Sequence, residues 1–129
     1  MSEASAAAVS LSGVLEVLEA LWPEAGAEDW DAPGLVVGDP ESPVTSIHLM
    51  VDVTPESVEE ALEHGADLIV AHHPLLLRGV TTVAESTYKG HIIATLIRAG
   101  CALVTAHTNA DAVPTGTSAR LADLLELQQ

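Results

Sequence analysis

The sequence predicts an α/β fold, a three-layer sandwich in which a largely parallel β-sheet is flanked by helices. From Ser46 onward, strand-like and helix-like segments alternate, and this order is typical of parallel sheets with right-handed crossovers. Asp67–Ala71 and Cys101–Ala106 are largely apolar, as strands buried on both faces are. The length of 129 residues suits one domain. We expect residues 1–10 to form a flexible tail and residues 11–129 a single α/β domain.

An amphipathic helix is predicted at the start of this domain. Leucine and valine recur from Leu11 to Leu21 at the spacing of one helix face. Ser10 or Ser12 is placed to cap the first turn, and Pro23 ends the helix. The acidic stretch that follows, Glu24–Pro33, is predicted to be a loop.

The remaining elements follow from caps, breakers and apolar runs. A helix begins at Thr54-Pro55-Glu56, where a capping threonine precedes a proline at the first helical position, and Gly65 ends it. Pro114–Gly116 opens a last helix whose leucines are expected to face inward (Leu121, Leu124 and Leu125). The other predicted segments are a strand at Gly34–Gly38, a turn at Asp39–Pro43, a strand at Ser46–Val53, a strand at Asp67–Ala71, a loop over Arg78–Thr87, a helix at Lys89–Arg98 and a strand at Cys101–Ala106.

The charge distribution excludes some classes of partner. The net charge is −15, and every charged residue before Arg78 is Asp or Glu. Such a surface repels phosphates, so nucleic acid and anionic membranes are unlikely partners. Residues 1–10 have no signal-peptide pattern, and no apolar run approaches the ~20 residues of a membrane helix. We expect a cytoplasmic protein.

Cys101 is the single cysteine of the chain, so no internal disulfide is expected. It stands between Gly100 and the apolar stretch Ala102-Leu103-Val104. The pattern favours a small buried core residue over a reactive thiol.

Side chains with metal-binding chemistry follow the predicted strands. His72 and His73 come directly after Asp67–Ala71, whereas His107 and Asp111 follow Cys101–Ala106. Ligands gather beyond the carboxyl ends of the strands in open α/β sheets. Imidazole and carboxylate together suit zinc, iron, manganese, cobalt or nickel. These four residues therefore predict a divalent metal site.

The number of ions is open from the residues alone. Consecutive side chains of a strand point in opposite directions. His72 and His73 therefore either flank two neighbouring ions or meet at one ion if the chain turns at Pro74. Asp111 has two oxygens and is suited to bridge a metal pair, which would polarise a substrate oxygen.

Each of these side chains also has a structural interpretation. His107 can be a structural histidine with Thr108 and Asn109 making turn bonds, and Asp111 can cap a turn. Asp52 can simply close a strand-to-helix corner. The structural interpretation is preferred for the three other histidines (His48, His64 and His91).

Five segments carry a resemblance to a known family. In chain order they are WDAPGLVVGDP (30–40), DVTPESVEEA (52–61), GADLIVAHHPLLLRGV (65–80), KGHIIATLIRAG (89–100) and TAHTNADAVPTG (105–116). The chain resembles the GTP cyclohydrolase 1 type 2 homologue family, also called NIF-three-like dinuclear metal centre hexameric proteins. The match covers nearly the whole chain, and the HHP and HTNxD motifs together are specific.

The resemblance implies a site, an assembly and an activity. The two histidines of HHP and the aspartate of HTNxD, here His72, His73 and Asp111, are implied to bind a pair of divalent metals. His107 is implied to lie beside them, as a supporting or catalytic residue. The family forms homohexameric rings, and its name implies a metal-dependent hydrolase acting on a nucleotide-like small molecule.

The sequence departs from the family at its C-terminal end. Family members continue well beyond the position of Gln129, where a histidine and a glutamate complete the metal pair. We therefore expect these 129 residues to correspond to the first half of the family's fold. The alternatives to a hydrolase are a non-catalytic metal-binding assembly or regulatory module, an inactive fragment, and, least favoured, a metal-free adaptor.

Overall fold

The computed structural model describes residues 7–128. These residues form a mixed α/β structure with a small two-stranded sheet and a larger four-stranded sheet. The strands are β1 (Val9–Ser10), β2 (Gly34–Val37), β3 (Pro43–Val44), β4 (Ile47–Met50), β5 (Leu68–Ala71) and β6 (Ala102–Thr105). The helices are α1 (Leu11–Leu21), α2 (Pro55–Glu63), α3 (Tyr88–Ala99), α4 (Thr108–Ala112) and α5 (Thr117–Leu124), with a 3-10 turn at Glu24–Gly26.

The larger sheet has the strand order β2-β6-β5-β4. β4, β5 and β6 are parallel, and β2 pairs antiparallel with β6. The prediction of a largely parallel sheet is therefore confirmed. Ala71 at the end of β5 stands opposite Thr105 at the end of β6, so the segments that follow these two strands leave the sheet at the same edge.

Helices cover both faces of this sheet. Side chains alternate between the faces along each strand, and they separate into two apolar clusters. Ile69 and Leu103 belong to the cluster that includes residues of α2 and α3. Leu68 and Val104 belong to the cluster on the opposite face, where α1 packs. All four side chains are buried, and the predicted three-layer arrangement is present.

The predicted caps are present at three helices. Ser10 caps α1 by accepting a hydrogen bond from the backbone N–H of Gly13. Thr54 and Ser57 form a reciprocal capping box at the start of α2. Gly100 ends α3 with a φ of 66°, a left-handed conformation that glycine adopts without steric cost.

Three local predictions differ from the structure. The predicted strand 46–53 is shortened to Ile47–Met50. The last helix does not face its leucines inward, because α5 packs mainly against α4 rather than the sheet, and they are 58%, 66% and 61% exposed (Leu121, Leu124 and Leu125). Of the predicted tail, residues 1–6 lie outside the described residues, whereas Val9 and Ser10 pair with Val44 and Pro43.

Within residues 7–128, no helix has both the length and the apolar character that crossing a bilayer requires.

Cys101 has the environment predicted for a core residue. It is 2% exposed, and burial, with a smaller contribution from the negative charge of Asp67, raises the pKa of its thiol to about 11. Because the thiolate is the reactive form, we expect no reaction with Ellman's reagent at pH 8 in the native protein. One equivalent should react in denaturing urea. Rapid labelling of the folded protein would contradict this expectation.

Asp67 fixes the start of β5 against the segment that leads into β4. Its Oδ2 accepts hydrogen bonds from the backbone N–H and the hydroxyl of Thr45, both at 2.8 Å, and from the N–H of Ser46 at 3.2 Å. The hydrogen bonds from Thr45 lower the pKa of Asp67, against the raising effect of burial and with a further lowering by Ser46. The carboxylate is therefore stabilised in the folded state.

Replacing Asp67 by asparagine should make the protein less stable by about 1 kcal/mol at neutral pH. The oxygen of asparagine can still accept the three hydrogen bonds, but they lose the negative charge of the acceptor and are weaker. A carboxyl group with a lowered folded pKa stabilises the protein above its unfolded pKa, and this stabilisation is lost as the pH falls through the folded pKa. The difference in unfolding free energy between the wild type and D67N should therefore have its full size at pH 7. It should decrease below pH 3.8, the ordinary pKa of an aspartate side chain. Urea unfolding of both proteins at several pH values measures this difference. A difference that does not change with pH would contradict a stabilising role for the Asp67 carboxylate.

Candidate metal centre

Three histidines meet at the edge of the sheet where β5 and β6 end. His72 and His73 follow β5 directly, and His107 lies two residues after the end of β6. The ring centroids are 5.2 Å apart for His72 and His73, 5.0 Å for His72 and His107, and 5.5 Å for His73 and His107. One nitrogen from each ring lies within 4.8 Å of the other two. The cluster could therefore hold a metal ion.

The backbone at the end of β5 explains how two consecutive histidines reach one place. In a regular parallel strand, only alternate N–H groups face a given neighbour. Here the consecutive N–H groups of His72 and His73 bond to the carbonyl oxygens of Met50 and Val51, at 3.1 Å and 2.9 Å. The chain bends after Ala71, the strand alternation is lost, and the two rings lie side by side. The turn that the sequence left as one alternative is thus present, directly at the histidines.

The second ring nitrogen of each histidine is held by an acceptor. Nδ1 of His72 lies 3.0 Å from the carbonyl oxygen of Ala106, and Nδ1 of His73 lies 2.6 Å from Oδ1 of Asp52. Nδ1 of His107 lies 2.9 Å from Oδ1 of Asp31. Because carbonyl and carboxylate oxygens only accept, each Nδ1 donates, and the lone pair of each neutral ring is left on Nε2. Metal-binding histidines are oriented in this way.

Asp31 is a part of the site that the sequence did not reveal. Its side chain is fully buried, 76 residues away in sequence from His107. Besides the His107 ring, it accepts hydrogen bonds from the backbone N–H and the hydroxyl of Thr108. Burial by itself raises the pKa of Asp31, but the bonds from Thr108, His107 and Ala32 outweigh it and lower the pKa to about 2.

Only the family resemblance pointed to the segment that contains Asp31. The residue stands in the stretch 24–33, which composition predicts to be an acidic loop, and this loop contains several other acids. Nothing in the local pattern distinguishes the one acid that folds back under a distant histidine.

Asp52 contributes more than the predicted strand-to-helix corner. Its carboxylate holds His73, yet its side chain is 68% exposed and that of His73 is 51% exposed. The His73 side of the cluster is therefore open to solvent, whereas the His107 side rests on a buried carboxylate.

Asp111, the predicted bridging ligand, lies beside the histidine cluster. Its Oδ2 is 4.0 Å from Nε2 of His72, and its Oδ1 accepts a hydrogen bond from the hydroxyl of Thr117. The carboxylate is 35% exposed. Among residues 7–128 it is the carboxylate within 4.0 Å of Nε2 of His72, but it is not a member of the group of three close ligand atoms.

The other histidines lie outside this cluster. His48 on β4 and His64 at the end of α2 face each other with ring centroids 5.6 Å apart. His91 is exposed on α3. Among residues 7–128, no further group of three possible ligands is present.

Comparison with known proteins gives a consistent result. The sequence matches the family described as Duf34/NIF3 (NGG1p interacting factor 3) over residues 9–129. It is 53% identical over 117 residues to a protein of Streptomyces coelicolor named "GTP cyclohydrolase 1 type 2 homolog", covering 91% of this chain and 41% of that protein. A protein of Mycobacterium leprae with the same name is 48% identical over 117 residues, which are 91% of this chain and 30% of that protein.

Solved structures show the same fold. A Bacillus cereus protein related to NIF3 superposes with a TM-score of 0.88 at 33% identity, over 95% of this chain and 34% of that one. The reduced form of HcgD from Methanocaldococcus jannaschii has a TM-score of 0.88 at 25% identity, over 95% of this chain and 49% of that one. The chain thus spans half or less of the length of each of these four proteins.

Proposed function

We propose that this chain, which belongs to the Duf34/NIF3 family, is a divalent-metal-binding protein whose primary ligands are His72, His73 and His107. The observation that carries the proposal is the convergence of one ring nitrogen from each histidine within 4.8 Å of the other two. It is supported by the acceptor that each Nδ1 faces, which leaves Nε2 as the nitrogen available to a metal. Asp111 supplies a further oxygen and is the residue suited to join a second ion. A bound ion of this kind supplies Lewis-acid polarisation of a substrate oxygen.

The donor set fits first-row transition metals. Three neutral imidazoles and one carboxylate suit zinc, iron, manganese, cobalt or nickel and do not suit calcium, which prefers oxygen ligands. A zinc ion bound by three histidines retains an open position for a substrate. The exposed His73 side of the cluster leaves a path for such a molecule.

Metal analysis of the purified protein tests the proposal. We expect zinc or manganese to bind with a stoichiometry of one ion per chain in isothermal titration, and of two if Asp111 joins a pair. Replacement of His73 or His107 by alanine should abolish saturable binding, whereas His91→Ala, outside the cluster, should leave it unchanged. Absence of binding in the wild type, with the protein folded by circular dichroism, would refute the proposal.

A metal-dependent hydrolase acting on a nucleotide-like substrate is the catalytic form of this proposal. It is supported by the names of the relatives and by the solvent-accessible His73 side of the cluster. In this proposal His107 acts as a metal ligand rather than as a separate catalytic residue, because Nδ1 donates to Asp31 and Nε2 is used for the metal. Incubation of metal-loaded protein with GTP, with detection of formate, measures this activity. Turnover that H73A does not reduce would refute it.

Assembly is the second element of the proposal. Leu49 and Val51, on β4 and just after it, are 74% and 57% exposed, and apolar surface of this kind is typical of protein contacts. Together with the resemblance to ring-forming proteins, this supports a homo-oligomer, with a hexamer as the specific expectation. Light scattering after gel filtration measures the mass, and a monomer at micromolar concentration would contradict assembly. A non-catalytic metal-binding module would show bound metal and oligomers without turnover.

A further inference from the structure

The few aromatic side chains of this protein are unevenly placed. The chain has two Trp, one Tyr and no Phe. Trp22 packs against the apolar cluster beneath α1. Trp30 and Tyr88, in contrast, are 60% and 55% exposed. Of these two exposed rings, that of Trp30 lies against His107 of the candidate metal centre.

Trp30 and Tyr88 flank the histidine cluster through different residues. The Trp30 ring meets the His107 ring edge-on, with centroids 6.0 Å apart and an interplanar angle of 76°. The Tyr88 hydroxyl donates to the carbonyl oxygen of Val53 at 3.4 Å, and the neighbouring Asp52 holds His73. One aromatic ring is therefore linked to His107 and the other to the His73 side.

The backbone around Trp30 is fixed although the indole is exposed. On one side, the N–H of Glu28 donates to the hydroxyl of Thr108 at 2.9 Å. On the other side, Asp31 accepts from the N–H of Thr108 at 3.0 Å, and the N–H of Asp31 closes the turn onto the carbonyl oxygen of Glu28 at 3.0 Å. An exposed ring on a fixed turn offers a binding surface that loses little freedom when a ligand binds.

Two basic residues lie close to each other near Tyr88. Lys89 follows Tyr88, and its Nζ donates to the carbonyl oxygen of Arg78 at 3.3 Å. Within residues 7–128, neither cation forms an ion pair with a carboxylate, whereas Arg98 pairs with Glu85. In a chain of net charge −15, this is a local concentration of free positive charge, and an anionic group can bind there.

We propose that Trp30 is a ligand-binding residue whose indole stacks on the planar heteroaromatic ring of a phosphorylated small molecule. The inference rests on the proposed function, since the histidine cluster locates the reacting end of that molecule. Lys89 and Arg78, which form no ion pair within residues 7–128, supply the positive charge for its anionic group. Removing a stacking aromatic lowers affinity for a base by about 5- to 150-fold.

Tryptophan fluorescence provides a direct test. In the Trp22→Phe variant, Trp30 is the single emitting indole of the chain. We expect GMP to quench its emission saturably in the zinc-loaded protein, and ribose 5-phosphate, which lacks the ring, to leave it unchanged. In calorimetry, W30A should bind GMP about 5- to 150-fold more weakly, and W30F should recover most of the affinity. Lys89→Ala should weaken GMP and leave guanosine unaffected.

Measuring zinc binding and GMP binding on the same variants tests ligand stacking on Trp30 and metal binding by the histidine cluster independently. Zinc affinity is measured on the same variants, and W30A should bind zinc as the wild type does. GMP binding that W30A leaves intact, or Trp30 emission that does not respond to GMP, would overturn the inference while zinc binding stands. Failure of the wild type to bind zinc, with Trp30 still quenched by GMP, would overturn the metal proposal alone. Quenching by ribose 5-phosphate equal to that by GMP would exclude ring stacking.

Discussion

Replacing His72 by alanine is expected to lower zinc affinity by more than ~100-fold, beyond the upper end of the range seen when residues behind metal ligands are changed. His72 belongs both to the three-histidine cluster and to the ligand set with Asp111 that the resemblance implies, as His73 does, and it is also the histidine nearest to Asp111. Its ring lies 5.2 Å from that of His73 and 5.0 Å from that of His107. Its Nε2 is also the nitrogen that lies 4.0 Å from Asp111.

The loss of zinc affinity in H72A should also be visible in thermal unfolding. At a free zinc concentration of about 100 times the dissociation constant, binding stabilises the folded state by roughly 2.7 kcal/mol. H72A should lose most of this zinc-dependent rise in melting temperature. Without metal, the variant should be less stable by about 1 kcal/mol, because the hydrogen bond from Nδ1 to Ala106 is removed.

Two controls make the result interpretable. His91→Ala removes an exposed histidine on α3, and it should bind zinc as the wild type does. Circular dichroism should show that H72A is folded. A folded H72A that binds zinc within threefold of the wild type, roughly 0.6 kcal/mol, would mean that the cluster is not the metal site.

Replacing Asp31 by asparagine should reduce both stability and metal affinity. The buried carboxylate accepts hydrogen bonds from His107 and Thr108 at once. An asparagine side chain has one oxygen, so its amide N–H₂ must face a donor, either the His107 ring or the N–H of Thr108. Leaving buried donors unpaired, with loss of a charged acceptor, is expected to cost about 2–4 kcal/mol of unfolding free energy.

The effect of Asp31→Asn on zinc binding acts through His107. Asp31 fixes which ring nitrogen carries the proton and where Nε2 points, and changes of this type lower metal affinity by about 10–100-fold. Calorimetric zinc titration measures it on the folded variant, below its unfolding temperature.

Asp52→Asn is the matched control for this prediction. Asp52 also holds a histidine through Nδ1, but its carboxylate is 68% exposed, so water replaces the lost contacts. We expect the stability to change by less than about 1 kcal/mol and zinc affinity to fall less than in D31N. Equal losses in the two variants would show that burial of Asp31 has no part in orienting His107.

Several features of this protein follow from local sequence patterns. Thr54-Pro55 begins α2 and Gly100 ends α3 as predicted, because caps act within one helical turn. The buried strands β5 and β6 were predicted from their uninterrupted apolar residues. Cys101 was assigned to the core for the same reason, and it is buried.

The prediction that the leucines of the last helix face inward was wrong, because burial of a helix face depends on which element packs against it. The leucines of α5 have helical spacing, yet they are exposed because α5 packs against α4 rather than the sheet. Helical periodicity shows that residues share a face, but it does not show whether another element covers that face.

The sequence by itself determined the α/β class, the order of the main helices and strands, and the positions of His72, His73 and His107 just after strands; it did not predict helix α4, which contains Asp111. These depend on apolar runs and on motifs within short stretches of chain. Only the tertiary structure decided that the two consecutive histidines face one place, because the bend after Ala71 depends on pairing with β4. It alone identified Asp31, since a buried hydrogen bond across 76 residues depends on the closing of the fold and leaves no periodic signal in the chain.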